Sequence, residues 1–287
     1  MTDATSYPPF LLEKNGRPDR PVVVSSPHSG TFYPERLFRL TDLKVEDFQK
    51  YEDPAVSSLF SFAPAMGLPL ISAVYARAWV DLNRHPLEVD VGLFSDAPPA
   101  GALSDSPRVK AGHGVIPSRL SKTEPVYPKR LLWRREKKRI EDVHFPYHAA
   151  LTELINDNLA RFGKSVLLDV HSTPDLPQSM LMRDTMPDII LGNLDGASCA
   201  PDVMSAAVRI LTEQGLTVAV NAPYRGAYTT QRYGVPAKHS HALQIEIARR
   251  IYWDEKNRVF SDNFKDLWRK LSVFADKFLT ATDSMAL

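Results

Sequence analysis

Two histidines, each followed by a serine, lie at the ends of apolar runs and could bind a metal ion. His171 ends the run in Val-Leu-Leu-Asp-Val-His-Ser, and His28 follows Pro-Val-Val-Val-Ser-Ser-Pro. Ligands of open α/β sheets bind at the carboxyl ends of strands, and neutral imidazole is a good zinc ligand. Asp169 points to the same face as His171 by strand alternation and could orient an imidazole. The alternative is a pair of loop histidines bonded to backbone, with Asp169 as a helix cap or ion-pair partner.

A second pattern, Asp-Leu-Asn-Arg, could recognise a carboxylate. Arg84 and the adjacent Asn83 follow a predicted strand, and a guanidinium offers a planar fork of N–H donors that fits a carboxylate. The alternative is a surface ion pair of Arg84 with Glu88 or Asp90.

A third pattern, Gln-Ile-Glu-Ile, contains a candidate general base. Glu246 lies between two isoleucines, so its side chain leaves the apolar face. A glutamate beside a metal-bound water can take a proton and later return it. The alternative is a helix-surface glutamate paired with Arg249 or Arg250.

Composition narrows the class of protein. The chain of 287 residues is 44% hydrophobic and carries a formal net charge of +1, which excludes a basic nucleic-acid footprint. The single Cys199 excludes an internal disulfide and a multi-cysteine zinc site, and it suits a reducing compartment. A polar N-terminus without an apolar signal core, and no apolar run as long as a membrane span, lead us to expect a cytoplasmic protein with no membrane partner.

The positions of these residues depend on a predicted alternation of strands and helices. Short apolar runs predict strands at Pro21–Ser25, Leu70–Ala73, Ala78–Leu82, Ser165–Val170, Ser179–Leu181 and Thr217–Val220. Helical periodicity predicts helices at Asp53–Met66 (ended by Gly67), Arg130–Phe162 (broken near Pro146), Ala200–Gln214, His241–Tyr252 and Ser261–Leu279. The segment His241–Ile247 could instead begin as a strand. We therefore predict a single α/β domain over 1–287, with a mostly parallel sheet between helices. The Gly-, Pro- and Ser-rich segment Asp96–Pro128 is expected to be an active-site loop or lid.

Taken together, the motifs resemble the N-formylglutamate amidohydrolase family. The matching blocks follow in the family's order and are Ser-Pro-His-Ser-Gly at 26–30, Asp-Leu-Asn-Arg at 81–84, Pro-Tyr-His at 146–148, Leu-Asp-Val-His-Ser at 168–172, Asn-Ala-Pro-Tyr-Arg-Gly at 221–226 and His-Ala-Leu-Gln-Ile-Glu-Ile at 241–247. The resemblance implies the zinc exopeptidase fold, a three-layer α/β/α arrangement around a mixed sheet. It also implies a metal-dependent hydrolase, zinc being the expected ion, that acts on an N-acyl amino acid.

The resemblance implies His28 and His171 as metal ligands. Carboxypeptidase-like enzymes place a glutamate ligand three residues after the first histidine, but Thr31 stands there in this chain. Asp53 is our choice for the third ligand, because the family also has an aspartate there. The rivals are Glu52 and His148.

The resemblance further implies Glu246 as the catalytic glutamate and Asn83 with Arg84 as the carboxylate-binding pair. Arg225 is a second candidate for neutralising a dianionic substrate. The oxyanion could be stabilised by a side chain of the set Tyr147, His148 and Tyr224.

The leading function is deformylation of N-formyl-L-glutamate or a similar N-formyl amino acid, in histidine catabolism. The alternatives are another N-acyl amino acid amidohydrolase, a small zinc carboxypeptidase, or a non-catalytic binding protein on a degenerate hydrolase fold. A serine hydrolase is disfavoured because the sequence has no Gly-x-Ser-x-Gly elbow. The oligomeric state is not fixed by the sequence.

Overall fold

A computed structural model describes residues 7–120, 124–181, 185–285 and 287. The strands are β1 (Phe10–Glu13), β2 (Val22–Ser26), β3 (Leu70–Ala73), β4 (Ser165–Thr173), β5 (Ile189–Gly192), β6 (Val218–Val220), β7 (Ser240–Ala248), β8 (Trp253–Asp254) and β9 (Val259–Phe260). The helices are α1 (Glu35–Phe38), α2 (Val45–Gln49), α3 (Val56–Leu59), α4 (Pro107–Lys110), α5 (Trp133–Arg139), α6 (Phe145–Phe162), α7 (Pro201–Glu213), α8 (Tyr228–Tyr233) and α9 (Phe264–Ser284).

The chain divides into two compact units. The smaller unit comprises Met1–Leu11, Pro27–Glu52 and Ser72–Ala150, and the larger unit comprises Leu12–Ser26, Asp53–Ile71 and Leu151–Leu287. The proposed single domain over 1–287 stays a prediction.

The larger unit contains the whole of five strands of a mixed sheet, β2, β4, β5, β6 and β7. Seven strands follow the order β1-β3-β2-β4-β7-β5-β6. The β2–β4, β4–β7 and β5–β6 pairs are parallel, whereas β5 runs antiparallel to β7. The predicted α/β fold with a mostly parallel mixed sheet is confirmed.

The two faces of this sheet carry different side chains. Alternate residues of β2, β4, β5 and β7 enter one apolar core with α3, α7 and α9; in β4 and β7 these are Val166, Leu168, Val170, Leu243, Ile245 and Ile247. On the opposite face, Asn158 of α6 donates to the Ser165 hydroxyl at 3.3 Å, and α8 packs against β4 and β7. Helices therefore cover both faces, and the alternation places Asp169, His171, Gln244 and Glu246 on the face opposite this core.

The predicted helix His241–Tyr252 is wrong for most of its length, because β7 occupies Ser240–Ala248. Its apolar residues alternate with Gln244 and Glu246, a period of two that suits a strand between two neighbours. The possibility that this segment begins as a strand is the one that the structure bears out.

Two predicted strands are also absent. Residues 78–82 form turns, since Trp79 N donates to the Ala76 carbonyl and Asp81 N to the Val115 carbonyl, both at 2.8 Å, so their apolar side chains are buried without a ladder partner. The segment predicted as Ser179–Leu181 is a 3-10 turn over Gln178–Met180 that follows Pro177.

The remaining helix predictions differ mainly in continuity. The segment Asp53–Met66 is split into α3 and a 3-10 turn containing Pro64, and Gly67 ends it with a φ of 76° as expected. The segment Arg130–Phe162 is interrupted by a π-helical turn over Ile140–His144, which ends two residues before Pro146, a residue without an N–H donor. The helices predicted at Ala200–Gln214 and Ser261–Leu279 correspond to α7 and α9.

Gly30 is required by a close approach of two backbone segments in the smaller unit. Phe32 N donates to the Val74 carbonyl at 3.0 Å, and Ala76 N donates to the Phe32 carbonyl at 3.0 Å. A Cβ on Gly30 would lie 2.1 Å from the Tyr75 carbonyl oxygen. Glycine is therefore the residue that fits next to His28.

We expect Gly30→Ala to lower the free energy of unfolding by about 1–3 kcal/mol, the usual cost of overpacking. Urea denaturation would measure this loss. Gly92→Ala is the matched control, because the nearest atom to its added Cβ is the Asp90 carboxylate at 3.2 Å, the end of a side chain that can move. Equal midpoints for the two variants would contradict the prediction.

Candidate active site

In the larger unit, polar side chains lie on one face at the carboxyl ends of β4 and β7. The parallel register places Asp169 beside Gln244 and His171 beside Glu246. Residues paired in this way point to the same face of a sheet. The candidate ligand His171 and the candidate base Glu246 are thus neighbours across one strand pair.

The His171 imidazole is buried between two carboxylates. Its Nδ1 lies 2.9 Å from Oδ2 of Asp53, and its Nε2 lies 3.0 Å from Oδ2 of Asp169. Asp169 is itself held by Ser25, whose hydroxyl donates to Oδ1 at 3.1 Å. The two ring nitrogens therefore have different partners, one of which is a candidate metal ligand.

The electrostatics of this cluster favour a cation. Burial by itself lowers the pKa of His171, but the carboxylates of Asp169, Asp53 and Glu246 outweigh burial and raise that pKa well above its usual value. Buried carboxylates are costly unless positive charge compensates them. The cluster is therefore suited to a proton or a metal ion.

Glu246 and Tyr224 both lie near the carboxyl end of β4. Gln244 Nε2 donates to Oε1 of Glu246 at 2.9 Å, and the Tyr224 hydroxyl lies 3.3 Å from Oγ1 of Thr173. Burial, followed by the charges of Glu246 and Asp53, raises the pKa of Tyr224, so its hydroxyl keeps its proton as a donor. The alternative of Glu246 on a helix surface is wrong, because Glu246 belongs to β7.

Arg249 is a residue of this cluster that the sequence patterns did not single out for a functional role. Its buried guanidinium contacts Asp53, Ser172 and Glu255. Arg225, by contrast, forms an exposed ion pair with Asp195 at 2.8 Å. The sequence offered one signal for Arg249, its position two residues after the matched block 241–247 that contains Glu246.

In the smaller unit, His28 has an environment that parallels that of His171. Its Nε2 lies 2.7 Å from Oδ1 of the fully buried Asp81. Asp81 also accepts from the Asn83 backbone N–H at 2.9 Å and from Nη2 of Arg77 at 2.8 Å. Although burial raises its pKa, Arg84, His28 and Arg77 lower the pKa of Asp81 well below its usual range, which keeps it ionised.

Arg84 is part of a cationic group in the smaller unit rather than of a surface ion pair. Its Nε donates to the His113 carbonyl at 2.8 Å, its Nη1 donates to the Asn83 carbonyl at 2.7 Å, and its Nη2 lies 3.8 Å from Asp81. The predicted alternative of a pair with Glu88 or Asp90 is therefore wrong.

Two further arginines, Arg77 and Arg108, extend this cationic group. The Arg77 guanidinium lies 4.2 Å from the centre of the Tyr51 ring. Burial and the charges of Arg84 and Arg77 lower the pKa of Arg108, although Glu88 opposes this change. Like charges gathered in partial burial create a positive potential that an anionic ligand would neutralise.

The rivals for the third ligand position have other partners in the smaller unit. His148 Nε2 lies 2.8 Å from the Leu82 carbonyl oxygen, and the ring centres of His148 and His144 are 4.3 Å apart. Glu52 accepts a hydrogen bond from the Tyr33 hydroxyl.

Comparison with known proteins places the chain in a family. The sequence profile of the N-formylglutamate amidohydrolase family matches residues 20–253. An N-formylglutamate deformylase of Pseudomonas putida is 30% identical over 241 residues, which cover 82% of each chain. An N-formylglutamate deformylase of Pseudomonas aeruginosa is 31% identical over 253 residues, which cover 86% of each chain.

A solved structure agrees with this placement. The crystal structure of N-formylglutamate amidohydrolase from Ralstonia eutropha JMP134 matches with a TM-score of 0.88 and 32% identity, over 96% of this chain and 98% of that chain. Gene product Atu2144 from Agrobacterium tumefaciens, at 17% identity and a TM-score of 0.69, shares the fold.

This likeness shows a hydrolase that cleaves a linear amide, and the prediction of an enzyme is confirmed. More narrowly, the chain belongs to the N-formylglutamate amidohydrolase family. In the part of the chain that the structure describes, no helix is both long and apolar enough to cross a membrane.

Proposed function

We propose that this enzyme removes the formyl group from an N-formyl amino acid, with N-formyl-L-glutamate as the principal substrate and a divalent metal ion as cofactor. The substrate is supported by the two Pseudomonas relatives that are named N-formylglutamate deformylase. The observation that carries the metal is a repeated arrangement: His28 and His171 each present Nε2 to a buried aspartate. The cytoplasmic location and the role in histidine catabolism stay predictions.

The proposed ligands are His28, Asp53 and His171. Each side chain is buried and offers one ligand atom, a set of two imidazoles and one carboxylate. With their Nε2 protons directed to Asp81 and Asp169, the two histidines carry the Nδ1 lone pair that a metal needs. This donor set suits zinc.

A bound metal ion would polarise the formyl carbonyl and lower the pKa of water in the site. Glu246 is positioned to take the proton from that water and to return it to the leaving nitrogen. Its place beside His171 in the register of β4 and β7 supports this role. Acid–base catalysis of this kind contributes about 10²–10⁴-fold.

Stabilisation of the tetrahedral oxyanion is assigned to Tyr224, because its hydroxyl is a retained donor close to the charges of Asp53 and Glu246. Tyr147 and His148 remain the other candidates. Tyr147 is fully buried, and His148 directs Nε2 to the Leu82 carbonyl oxygen, so both have less freedom to reach a substrate.

Recognition of the substrate's carboxylates is assigned to Asn83 and the cationic group. Arg84 would bind the α-carboxylate together with Asn83. Arg108 is our addition for the side-chain carboxylate, since it lies within the positive field of Arg84 and Arg77. Arg225 remains a candidate from the sequence. Another N-acyl amino acid amidohydrolase, or a small carboxypeptidase, would differ from this enzyme in the acyl group that it accepts.

Purified protein is expected to bind about one zinc ion per chain and to hydrolyse N-formyl-L-glutamate faster than N-acetyl-L-glutamate. His171→Ala should lose most of the metal, because one of about three protein ligands is removed. Metal analysis and a panel of N-formyl and N-acetyl amino acids would measure both. His239→Ala is the matched control, since His239 is exposed and its Nδ1 lies 2.6 Å from the Leu287 carbonyl oxygen. Full metal occupancy in His171→Ala would refute the ligand assignment.

Glu246→Gln should retain the metal and bind substrate, yet turn over at least about a hundredfold more slowly, because the amide cannot accept the proton. Single-turnover kinetics with N-formyl-L-glutamate would measure the chemical step. Glu213→Gln is the matched control in the same unit, because its partly exposed carboxylate pairs with Arg209 outside the cluster. A turnover near that of the wild type would remove Glu246 from the mechanism.

Arg108→Gln should reduce kcat/KM for N-formyl-L-glutamate by about 10- to 100-fold, the loss expected for one charged hydrogen bond. Hydrolysis of N-formyl-L-glutamine should change little, because its side chain is neutral. Arg84→Lys should impair both substrates, since both keep the α-carboxylate, but should spare a formyl amide without one. An equal loss on both substrates for Arg108→Gln would show that Arg108 does not bind the side-chain carboxylate of the substrate.

A further inference from the structure

The buried guanidinium of Arg249 contacts three separate segments of the larger unit. Its Nη2 lies 3.4 Å from Oδ1 of Asp53, its Nε donates to the Ser172 hydroxyl at 3.1 Å, and its Nη1 donates to Glu255 at 3.3 Å. Only 4% of the residue is exposed. A cation buried to this extent must be matched by fixed acceptors, so its position and that of its partners are set together.

The two oxygens of Asp53 are divided between different partners. Oδ1 lies toward Arg249 at 3.4 Å, whereas Oδ2 lies 2.9 Å from Nδ1 of His171. The carboxylate plane is thereby fixed with one oxygen directed to each side. Oδ2 is the oxygen next to the second proposed ligand.

The same short segment also holds the backbone that follows Asp53. Arg249 begins a 3-10 turn directly after β7, and Tyr252, at the end of that turn, donates from its hydroxyl to the Pro54 carbonyl at 2.7 Å. The next residue, Ala55, has a φ of 54°, which a non-glycine residue adopts only when its surroundings impose it. Residues 249–252, which follow Glu246 in the chain, therefore contact both the side chain of Asp53 and the backbone of Pro54.

We infer that Arg249 is a positioning residue that holds Oδ1 of Asp53 away from the metal, so that Asp53 binds the ion through Oδ2 alone. This inference rests on the proposed metal site. An arginine suits the task because its planar fork reaches Asp53 and Ser172 at once, which the single ammonium of a lysine cannot do. The proposed base Glu246 and the positioning residue Arg249 are then three positions apart in one segment, so the same segment would position the groups for proton transfer and for metal coordination.

The test uses full-length metal-free protein reloaded with cobalt(II), whose visible absorption reports coordination number and geometry. Arg249→Met should weaken metal binding by about 10- to 100-fold, the usual cost of losing an outer partner of a ligand. Its cobalt absorption should fall as Oδ1 becomes a second oxygen ligand. Arg249→Lys should keep the buried charge, and so the fold, while showing an intermediate spectrum.

Arg250→Met is the matched control. Arg250 is the adjacent arginine, and it pairs with Asp188 at 2.8 Å in a partly exposed position outside the cluster. Its cobalt spectrum and metal affinity should equal those of the wild type, as should its melting temperature within a few degrees.

Three results separate the possible errors. A wild-type cobalt spectrum and affinity in Arg249→Met, with a lower melting temperature, would make Arg249 a structural residue and overturn the inference. If Arg249→Met does not fold, a wild-type spectrum in Arg249→Lys overturns it equally. A wild-type chain that takes up no metal at all would instead refute the proposed metal site.

Discussion

An imidazole can bind a cation through one nitrogen only if its other nitrogen holds the proton and has somewhere to direct it. In this protein a fully buried aspartate lies within hydrogen-bond distance of Nε2 of His171, and another lies within hydrogen-bond distance of Nε2 of His28. Each of these aspartates also accepts further hydrogen bonds. Ser25 donates to Asp169, while Arg77 and the Asn83 backbone donate to Asp81. Hydrogen bonds to the charged form compensate for the water that burial removes.

The sheet converts this local requirement into a defined arrangement. Alternation sends Val166, Leu168 and Val170 of β4 into the core with α7 and α9, and it sends Asp169 and His171 to the other face. A shift of one residue in the register of β4 would turn the polar pair into the apolar core and the apolar residues toward the candidate site. The packing that stabilises the larger unit is therefore the same packing that selects which side chains face the candidate site.

The sequence predicted much of this fold, since apolar runs and amphipathic periods located β2, β3, β4, β6, α7 and α9. It failed where two periods compete. In β7, the alternation of Leu243, Gln244 and Ile245 was outweighed by helix-favouring residues that follow it. It also failed at residues 78–82, where apolar side chains are buried between turns without strand pairing.

For the candidate site, the sequence identified residues with suitable chemistry but could not assign partners that are distant along the chain. Asp53 and His171 are separated by 118 positions, and Arg249 lies 196 positions from Asp53. A single sequence carries no pairing information over such separations. Motif blocks named His171 and Glu246, but the role of Arg249 emerges only from the contacts of its guanidinium. The roles of the site residues themselves stay proposals.

The direct pairing of His171 with Glu246 in the register of β4 and β7 determines when their relative position can change. Their spacing is set by the distance between adjacent strands, about 4.8 Å, and not by a loop that can open. Amide hydrogens in central strands usually exchange only when the whole domain unfolds. His171 and Glu246, the proposed ligand and the proposed base, should therefore remain in register through every local opening of the protein. Segments proposed to bind the substrate, such as α4, can then fluctuate, or change during evolution, while His171 and Glu246 keep their spacing until the sheet itself unfolds.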